Sequence, residues 1–516
     1  MSEKTYRIFL GALAFSGSLL VYLATSAYGP GLSTDGARYL STAENIARGA
    51  GAIDYLDVPL INWPPLYPLI LAGLHLLTGE DVFILGQIVN ILAFGAIIWL
   101  GGIFFARSLP ESQTLAPLAA LFLAAFLPLI EVSAGISSDP LFMILVFCFL
   151  LTAQNYLRAP QRKYFWLLAF IAVAATFTRY AGFALVFSGS FFIAWAHRKD
   201  TRKAMRRGAL FAFSAAAPIG AWAVLHNYRL TGYILGQHRP ANAAGNFVSA
   251  VTKIAGWFLP ETILGMLPPL LLLLLLLFAI ALRSNRERWR QWLKKITAPN
   301  VLPSAIFAAA YGAMLIFTIS YGEHRVPGSQ RIHAILMPAF LVCAVVSAQT
   351  FLGASKQKRR NTLRNLGLAL FAIWFIFPAY RVQVYVSASM KNGDVSFYNI
   401  YTTRTIRESD IVAQLNSLEF PQDERIYSNN EAAAWFYLRR RIYRLPTIDR
   451  EQGESIESAI AGFRGWPEDG EQATLIWFER DLEYKEFFPA PEELEAFFRL
   501  KTTFVGRYGN IYLMDF

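Results

Sequence analysis

A polytopic α-helical membrane protein with a small extracytoplasmic α/β domain at its C-terminal end is the fold class this sequence predicts, and three observations predict it. Of its 516 residues, 55% are hydrophobic and 16% charged; soluble globular chains carry about 45–50% apolar and ~25% charged residues. The apolar residues fall in runs close to the ~20 that cross a bilayer as a helix. The charge then changes sign along the chain. Residues 385–516 hold 15 Lys/Arg against 22 Asp/Glu, a net of −7, whereas residues 1–384 carry a net of +18. This composition excludes a disordered chain and argues against a wholly soluble enzyme. Nucleic acid is a poor explanation for the positive charge, most of which lies in short loops between apolar runs.

Eleven spans are expected, at 6–28, 82–106, 114–131, 140–157, 164–178, 181–196, 208–227, 263–282, 301–320, 332–350 and 365–384. The eighth contains an unbroken leucine run, Leu270 to Leu277. Loops on one side, with the N-terminal segment, hold 23 Lys/Arg, against 9 on the other side of the membrane part. The positive-inside rule puts the basic side in the cytoplasm. An odd number of spans then puts the C-terminal domain outside, so 1–384 reads as the membrane domain and 385–516 as an extracytoplasmic one. Residues 66–79 are apolar but too short to span, and read as an interfacial or re-entrant helix. The first span ends in Ala24-Thr25-Ser26-Ala27, which resembles a signal cleavage site, but its apolar run is longer than a signal peptide's and reads as an anchor.

The outer loops hold the residues suited to chemistry. In the first, 29–81, Asp35 follows a Gly-Pro-Gly turn and Ser33 and opens a short amphipathic helix. It reads either as a helix cap or as a general base held where a span meets water. Asp139, before Pro140 at the outer start of the fourth span, offers the same choice, and Glu131 is a third candidate. Arg179 falls at an outer helical turn. His324, Arg325, Arg331 and His333 fall in the loop leading into the tenth span. A guanidinium at the depth of Arg331 can take a lipid phosphate with paired hydrogen bonds, helped by the helix start beside it. Tyr39, Tyr67 and His324 are candidates for substrate contact. The long loop 228–262, with Tyr233, His238, Asn242 and Asn246, reads as a lid or as disorder. The two cysteines, Cys148 and Cys343, lie in apolar runs and exclude a disulfide scaffold. There is no Walker A motif and no dinucleotide fingerprint, so no nucleotide cofactor is expected.

Several of these segments resemble a known family. Asp35 with Arg38-Tyr39, Asn45-Ile46-Ala47-Arg48-Gly49, Pro64-Pro65-Leu66-Tyr67-Pro68 and Gly79 are similar to the first outer loop of the GT-C glycosyltransferases, within the protein O-mannosyltransferase and aminoarabinose-transferase-like group. Ser138-Asp139-Pro140-Leu141-Phe142 resembles that group's second acidic motif, where Glu is commoner. Thr178-Arg179-Tyr180-Ala181-Gly182 resembles its TRY-x-G element, and Arg331 to Pro338 the start of a late span. The likeness covers about 30–200 well and 320–340 loosely. It implies a transferase that moves a sugar from a polyprenyl-phosphate donor to a glycan, lipid or protein acceptor on the outer face. Asp35 would be its catalytic carboxylate, and Asp139 would assist or help bind a divalent metal ion. Arg331, with Arg179, would hold the donor phosphate. The His or Glu metal partners usual in the family are not identifiable here. Attack from the side opposite the phosphate would invert the anomeric carbon.

The C-terminal segment alternates strand-like and helix-like stretches, and so reads as a small α/β domain. ERIYSNN is a strand, EAAAWFYLRRR a helix, IYRLP and ATLIWF strands, about 490–499 a helix, and TTFVGRYGNIYLMDF two strands around Gly509-Asn510. Tyr427-Ser428-Asn429-Asn430 reads either as a contact for a glycan acceptor or as a strand-to-helix turn with an Asn cap. The domain's expected role is acceptor or partner binding, or cover over the site. Two other function classes compete with the transferase: a transporter or flippase of lipid-linked sugars, and a non-catalytic scaffold for the outer domain. Transporters show repeated halves with broken helices near the midplane. No internal repeat is visible here, and eleven spans exceed what a scaffold needs.

Overall fold

The computed structural model describes residues 2–110, 114–234, 243–259, 279, 286–321, 330–352, 357–395, 401–421, 423–448, 455–468, 471–479 and 487–516. Its first two thirds are helical: α1 (Glu3–Thr25), α2 (Thr34–Ala47), α3 (Leu66–Thr78), α4 (Val82–Ser108), α5 (Leu115–Ala124), α6 (Leu127–Ala134), α7 (Asp139–Arg158), α8 (Arg162–Thr178), α9 (Phe183–Ala196) and α10 (Thr201–Trp222), which runs on through a π turn to α11 (Arg229–Thr231). Then come α12 (Ala243–Ala255), α13 (Arg286–Ile296), α14 (Leu302–Tyr321), α15 (Gln330–Ala334), α16 (Met337–Leu352) and α17 (Gln357–Asn392).

Local chemistry explains where these helices start. The Ser2 hydroxyl accepts from the Thr5 N–H, Asp81 from the Phe83 N–H and Asp200 from the Lys203 N–H, each satisfying an amide that a helix start leaves orphaned. Within the bundle, polar groups reach across helices. Tyr6 donates to the Gly102 carbonyl and Ser18 to that of Ile91, joining α1 to α4. Buried Gln154 on α7 donates to the Ser108 hydroxyl and the Asn300 carbonyl. Away from water such groups need protein partners, and finding them fixes helix register.

Five described helical stretches are long and apolar enough to cross a membrane: Glu3–Thr25, Val82–Ser108, Asp139–Arg158, Thr201–Thr231 and Asn365–Asn392. The bent pair α5–α6 makes a sixth. Length and apolarity thus give fewer spans than the eleven expected. The segment 263–282, with its leucine run, lies outside the described residues apart from residue 279. The third expected span, 114–131, is not one rod. It breaks after Ala124, bends by 42° and resumes at Leu127 as far as Ala134. Pro128 is the cause: it has no N–H to give the preceding turn, and its ring clashes with the carbonyl four residues back. The last expected span is longer than 365–384, because α17 continues to Asn392.

Residues 401–516 then form two short helices, α18 (Arg404–Arg407) and α19 (Asp410–Ser417), and a mixed five-stranded sheet of order β2-β1-β3-β5-β4. The strands are β1 (Arg425–Ser428), β2 (Tyr443–Arg444), β3 (Gln472–Phe478), β4 (Arg499–Val505) and β5 (Gly509–Asp515). β1 is parallel to β2 and β3, through crossovers carrying α20 (Glu431–Leu438) and α21 (Ile456–Gly462); β5 is antiparallel to β3 and β4. The Asn430 side chain caps α20, and Asn429 exchanges two hydrogen bonds with the Phe478 backbone. Two details differ from expectation. Only α22 (Pro491–Leu494) is helical within 490–499, with β4 already begun at Arg499. The final hairpin turns at 506–508, because Gly509 and Asn510 are paired in β5.

The sheet domain sits on the segment that joins α1 to α4. Tyr401 and Thr34 share a hydroxyl contact at 2.9 Å, Thr402 donates to the Pro30 carbonyl, and Arg441 pairs with Asp57 at 2.8 Å. Tyr55 stacks on Trp435, and one hydrophobic cluster includes buried residues of both parts.

The α8–α9 turn admits no side chain at Gly182, where an added Cβ would lie 2.4 Å from the Thr176 nitrogen and 2.5 Å from the Ala175 carbonyl carbon. Backbone cannot yield there as a side-chain tip would. Gly182→Ala is expected to cost about 1–3 kcal/mol, seen as a lower unfolding temperature of the full chain in detergent.

Candidate active site

Three segments are drawn together at one end of the bundle. Gly31 donates to the Ala134 carbonyl, and Ile136 donates back to the Gly31 carbonyl, a small parallel bridge between the α1–α4 connection and the segment after α6. Asn90, buried inside α4, donates to the Gly135 and Ser137 carbonyls at 2.6 and 3.3 Å and accepts from the Tyr67 hydroxyl. Gly36 lets α2 close onto this bridge: a Cβ there would lie 3.1 Å from the Ile136 oxygen. Asp35 and Asp139 are thereby placed on neighbouring segments.

Neither carboxylate acts as a helix cap. Ser33 caps α2, accepting from the Gly36 N–H at 3.3 Å. Asp35 instead accepts from Arg331 of α15 at 2.7 Å, with each side chain 23% exposed. Asp139 accepts from Arg179 at 2.8 Å and from the Ser137 hydroxyl at 2.5 Å, with side-chain exposures of 3% for Asp139 and 18% for Arg179. Burial by itself would raise the proton affinity of Asp35. The Arg331 charge and hydrogen bond, aided by Arg179 and Arg38, outweigh it and hold the carboxyl below its usual range. Arg38 has its own partner, Asp54, at 2.7 Å, and packs over the Trp63 and Tyr55 rings. Tyr311 of α14 donates to the Ile332 carbonyl, fixing the helix that carries Arg331. A small cavity adjoins the pair, with Ser33, Glu131, Ser137 and Arg331 in its walls.

The aromatic candidates play another part. Tyr39 and Tyr67 are fully buried, edge to face at 5.3 Å. Tyr39 contacts the Ser138 hydroxyl at 3.1 Å, which in turn accepts from Arg179, and burial pushes its own hydroxyl up to about 12. Both rings support the loop from behind and present no surface to a substrate. His324 and Arg325 lie outside the described residues, as do His238 and Asn242. His333 and Asn246 are buried, and α12 occupies part of the long loop read as a lid or disorder. Sequence reasoning missed Asn90, whose one signal is an amide inside an apolar run.

Among the described residues no three of His, Cys, Asp and Glu come together, and Asp35 and Asp139 each already face a guanidinium within 2.8 Å. Such a donor set suits an anion that takes over an arginine better than a second cation.

No protein-family profile and no curated protein sequence matches the chain. Its fold does have solved relatives. ArnT from Cupriavidus metallidurans bound to undecaprenyl phosphate aligns with a TM-score of 0.57 at 14% identity, over 99% of this chain and 98% of that one. The same protein in the apo state gives 0.58 at 13% identity, over 97% of each. The archaeal oligosaccharyltransferase AglB from Archaeoglobus fulgidus, in complex with an inhibitory peptide and a dolichol-phosphate, gives 0.50 at 10% identity, over 92% of this chain and 70% of that one. The chain therefore shares the fold of these solved structures.

The Asp139–Arg179 contact makes a separable expectation. Arg179→Gln strands a buried carboxylate and should cost about 3–5 kcal/mol. Adding Asp139→Asn should recover much of that loss. Detergent unfolding of the two single variants and the double variant measures the coupling; independent, additive effects would show that the pair does not hold these segments.

Proposed function

We propose that this protein is a membrane glycosyltransferase that moves a sugar from a polyprenyl-phosphate donor to an acceptor on the extracytoplasmic face. The observation that carries the reading is the 2.7 Å contact between Asp35 and Arg331, both partly open, at the end of a helical bundle folded like ArnT, a protein solved with undecaprenyl phosphate. The charge of the loops supports an N-terminus in the cytoplasm and a sheet domain outside the cell membrane. A donor confined to lipid suits that side, and the sheet domain, docked on the first outer loop, is placed to bind or cover an acceptor.

The pair has a chemical logic. While Asp35 holds Arg331 it is ionised and a weak base. A donor phosphate can offer the guanidinium two oxygens at once, where Asp35 meets it through Oδ2. As Arg331 turns to phosphate, Asp35 loses the charge that lowers its proton affinity and keeps the burial that raises it. It then orients the acceptor hydroxyl and takes its proton. The acceptor oxygen bonds to the anomeric carbon. The carbon–oxygen bond to phosphate breaks with its electron pair on the phosphate, where Arg331 stabilises the added charge. In-line approach inverts the anomeric centre. Arg179 stays with Asp139 and keeps Ser138 and the α2 loop in place.

Transfer of labelled sugar from undecaprenyl-phosphate sugars to envelope acceptors, with the full chain in membranes, tests this. Asp35→Asn should lower turnover by roughly 100- to 10,000-fold and still bind donor; normal transfer by that variant would sink the assignment. Arg331→Gln should raise the donor KM by about tenfold or more.

The pH dependence carries a sign as well. Because Arg331 holds the Asp35 carboxyl low, the pair's contribution to stability is present above the ordinary carboxylate range and is lost as pH falls through the lowered value. The acid limb of kcat/KM reports the free enzyme. In Arg331→Gln that limb should move to higher pH, as burial of Asp35 is then opposed only by Arg179 and Arg38.

A further inference from the structure

A second cavity, of about 530 Å3, lies apart from the Asp35 pair, between the C-terminal end of α1, the N-terminal end of α4 and the sheet domain's α18–α20 side. Two cations line it. Arg407 packs against the Phe83 and Phe436 rings at 5.7 and 5.8 Å and has no carboxylate partner among the described residues; its buried Nε has no hydrogen-bond partner. Arg439 packs over Phe436 at 5.0 Å and pairs with Glu44 at 2.9 Å and more loosely with Asp81 at 3.6 Å. Asp81 lines the cavity too, but it also accepts from the Phe83 N–H at 2.7 Å as the cap of α4. Nearby Glu408 holds Arg404 at 2.9 Å. One guanidinium, on Arg407, is left uncompensated.

The cavity opens where two spans reach the membrane surface. Tyr22 of α1 and Ile84 of α4 stand at its edge, 51% and 42% exposed. Phe15 and Leu19 continue the Tyr22 row along α1, and Ile88 and Leu92 the Ile84 row along α4, all of them exposed. Residues three and four apart share a helix face, so two apolar tracks descend from the cavity into the bilayer. A cation on aromatic rings above paired apolar tracks matches a lipid phosphate above its acyl chains.

We propose that this cavity binds the phosphodiester headgroup of an anionic membrane phospholipid, with Arg407 as the phosphate ligand and the α1–α4 faces as the bed for its chains. The lipid then bridges the membrane bundle and the sheet domain. Ten of the thirteen lining residues, Tyr22, Phe83 and Ile84 among them, come from the α1 and α4 side and three, Arg407, Phe436 and Arg439, from the sheet domain.

The full chain in dodecyl maltoside, titrated with dioleoyl-phosphatidylglycerol, provides the test. The lipid should raise the unfolding temperature, with an apparent affinity about tenfold weaker in Arg407→Gln and partly restored in Arg407→Lys. Wild-type affinity in Arg407→Gln overturns the proposal. So does equal stabilisation by inorganic phosphate, which would make this a free-phosphate site. A wild-type measurement stands beside these if the variant fails to fold: photoactivatable phosphatidylglycerol in nanodiscs should label peptides within 22–29 or 81–87. Labelling confined to other surfaces, or labelling of these peptides by undecaprenyl phosphate in preference to phosphatidylglycerol, overturns it.

Discussion

Pairing of charge at one end of the helical bundle is the constraint on which the candidate site and the sheet domain both depend. Removing one partner of a buried ion pair costs several kcal/mol, since the other charge stays out of water. Asp139 is 3% exposed and Arg179 18%, so the turn after α8 cannot move from the start of α7. Asp35 and Arg331 tie α2 to α15 across 296 positions of sequence. The Gly31–Gly135 bridge and the Asn90 amide then bring both pairs to one place. Helix packing alone would leave these loops free to drift; the charges and amides give them one arrangement.

The sheet domain inherits that arrangement. Its contacts are made with the same loop: Tyr401 with Thr34, Arg439 with Glu44, Arg441 with Asp57, and Trp435 against Tyr55. Inside the loop, Asp54 accepts from Arg38 and from the Leu56 and Val58 amides, and Asn45 donates to the Ile53 and Asp54 carbonyls. A loop tied internally is a rigid platform, and a rigid platform lets a domain of modest size hold a fixed position above the bundle. The loop therefore serves two surfaces, the ion pair beneath it and the sheet domain above.

Much of this was legible in the sequence, and the failures have physical causes. Apolar runs found the long helices because a bilayer imposes a length and a composition. Hydropathy could not find the break at Ala125–Phe126, since one proline barely lowers the mean of an apolar window while its missing N–H ends a helix. Asp35 and Asp139 stood out by their place before apolar segments, and Arg331 by its place before a span. That Asp35 faces Arg331 and not Arg179 was illegible, because contact between residues so far apart is decided by tertiary packing. Tyr39 and Tyr67 show the ambiguity of aromatic residues in an outer loop: the same ring suits a sugar or a core, and here both are core. Asn90 was overlooked because one amide barely changes the hydropathy of a span. Gly509-Asn510 has the composition of a turn, yet strand pairing extends through it and the turn falls on Gly506 to Tyr508.

Exposure separates the two ion pairs into different roles. A carboxylate held by an arginine can take part in chemistry only if the contact opens at tolerable cost. Opening Asp139 from Arg179 would leave a charge in near-complete burial, with its Oδ1 already lacking a hydrogen-bond partner. Opening Asp35 from Arg331 exposes two groups that each retain 23% access, so water or an incoming anion can replace the lost contact. An anion with several oxygens competes for the guanidinium on favourable terms, because paired hydrogen bonds to one planar cation are stronger than a single one. The more accessible pair is thus the one a phosphate can exchange into, and the buried pair is the one that keeps the site's shape while it does so. Under the proposed function the arginine for a donor phosphate is therefore Arg331, and Arg179 contributes through the position of Asp139 and Ser138.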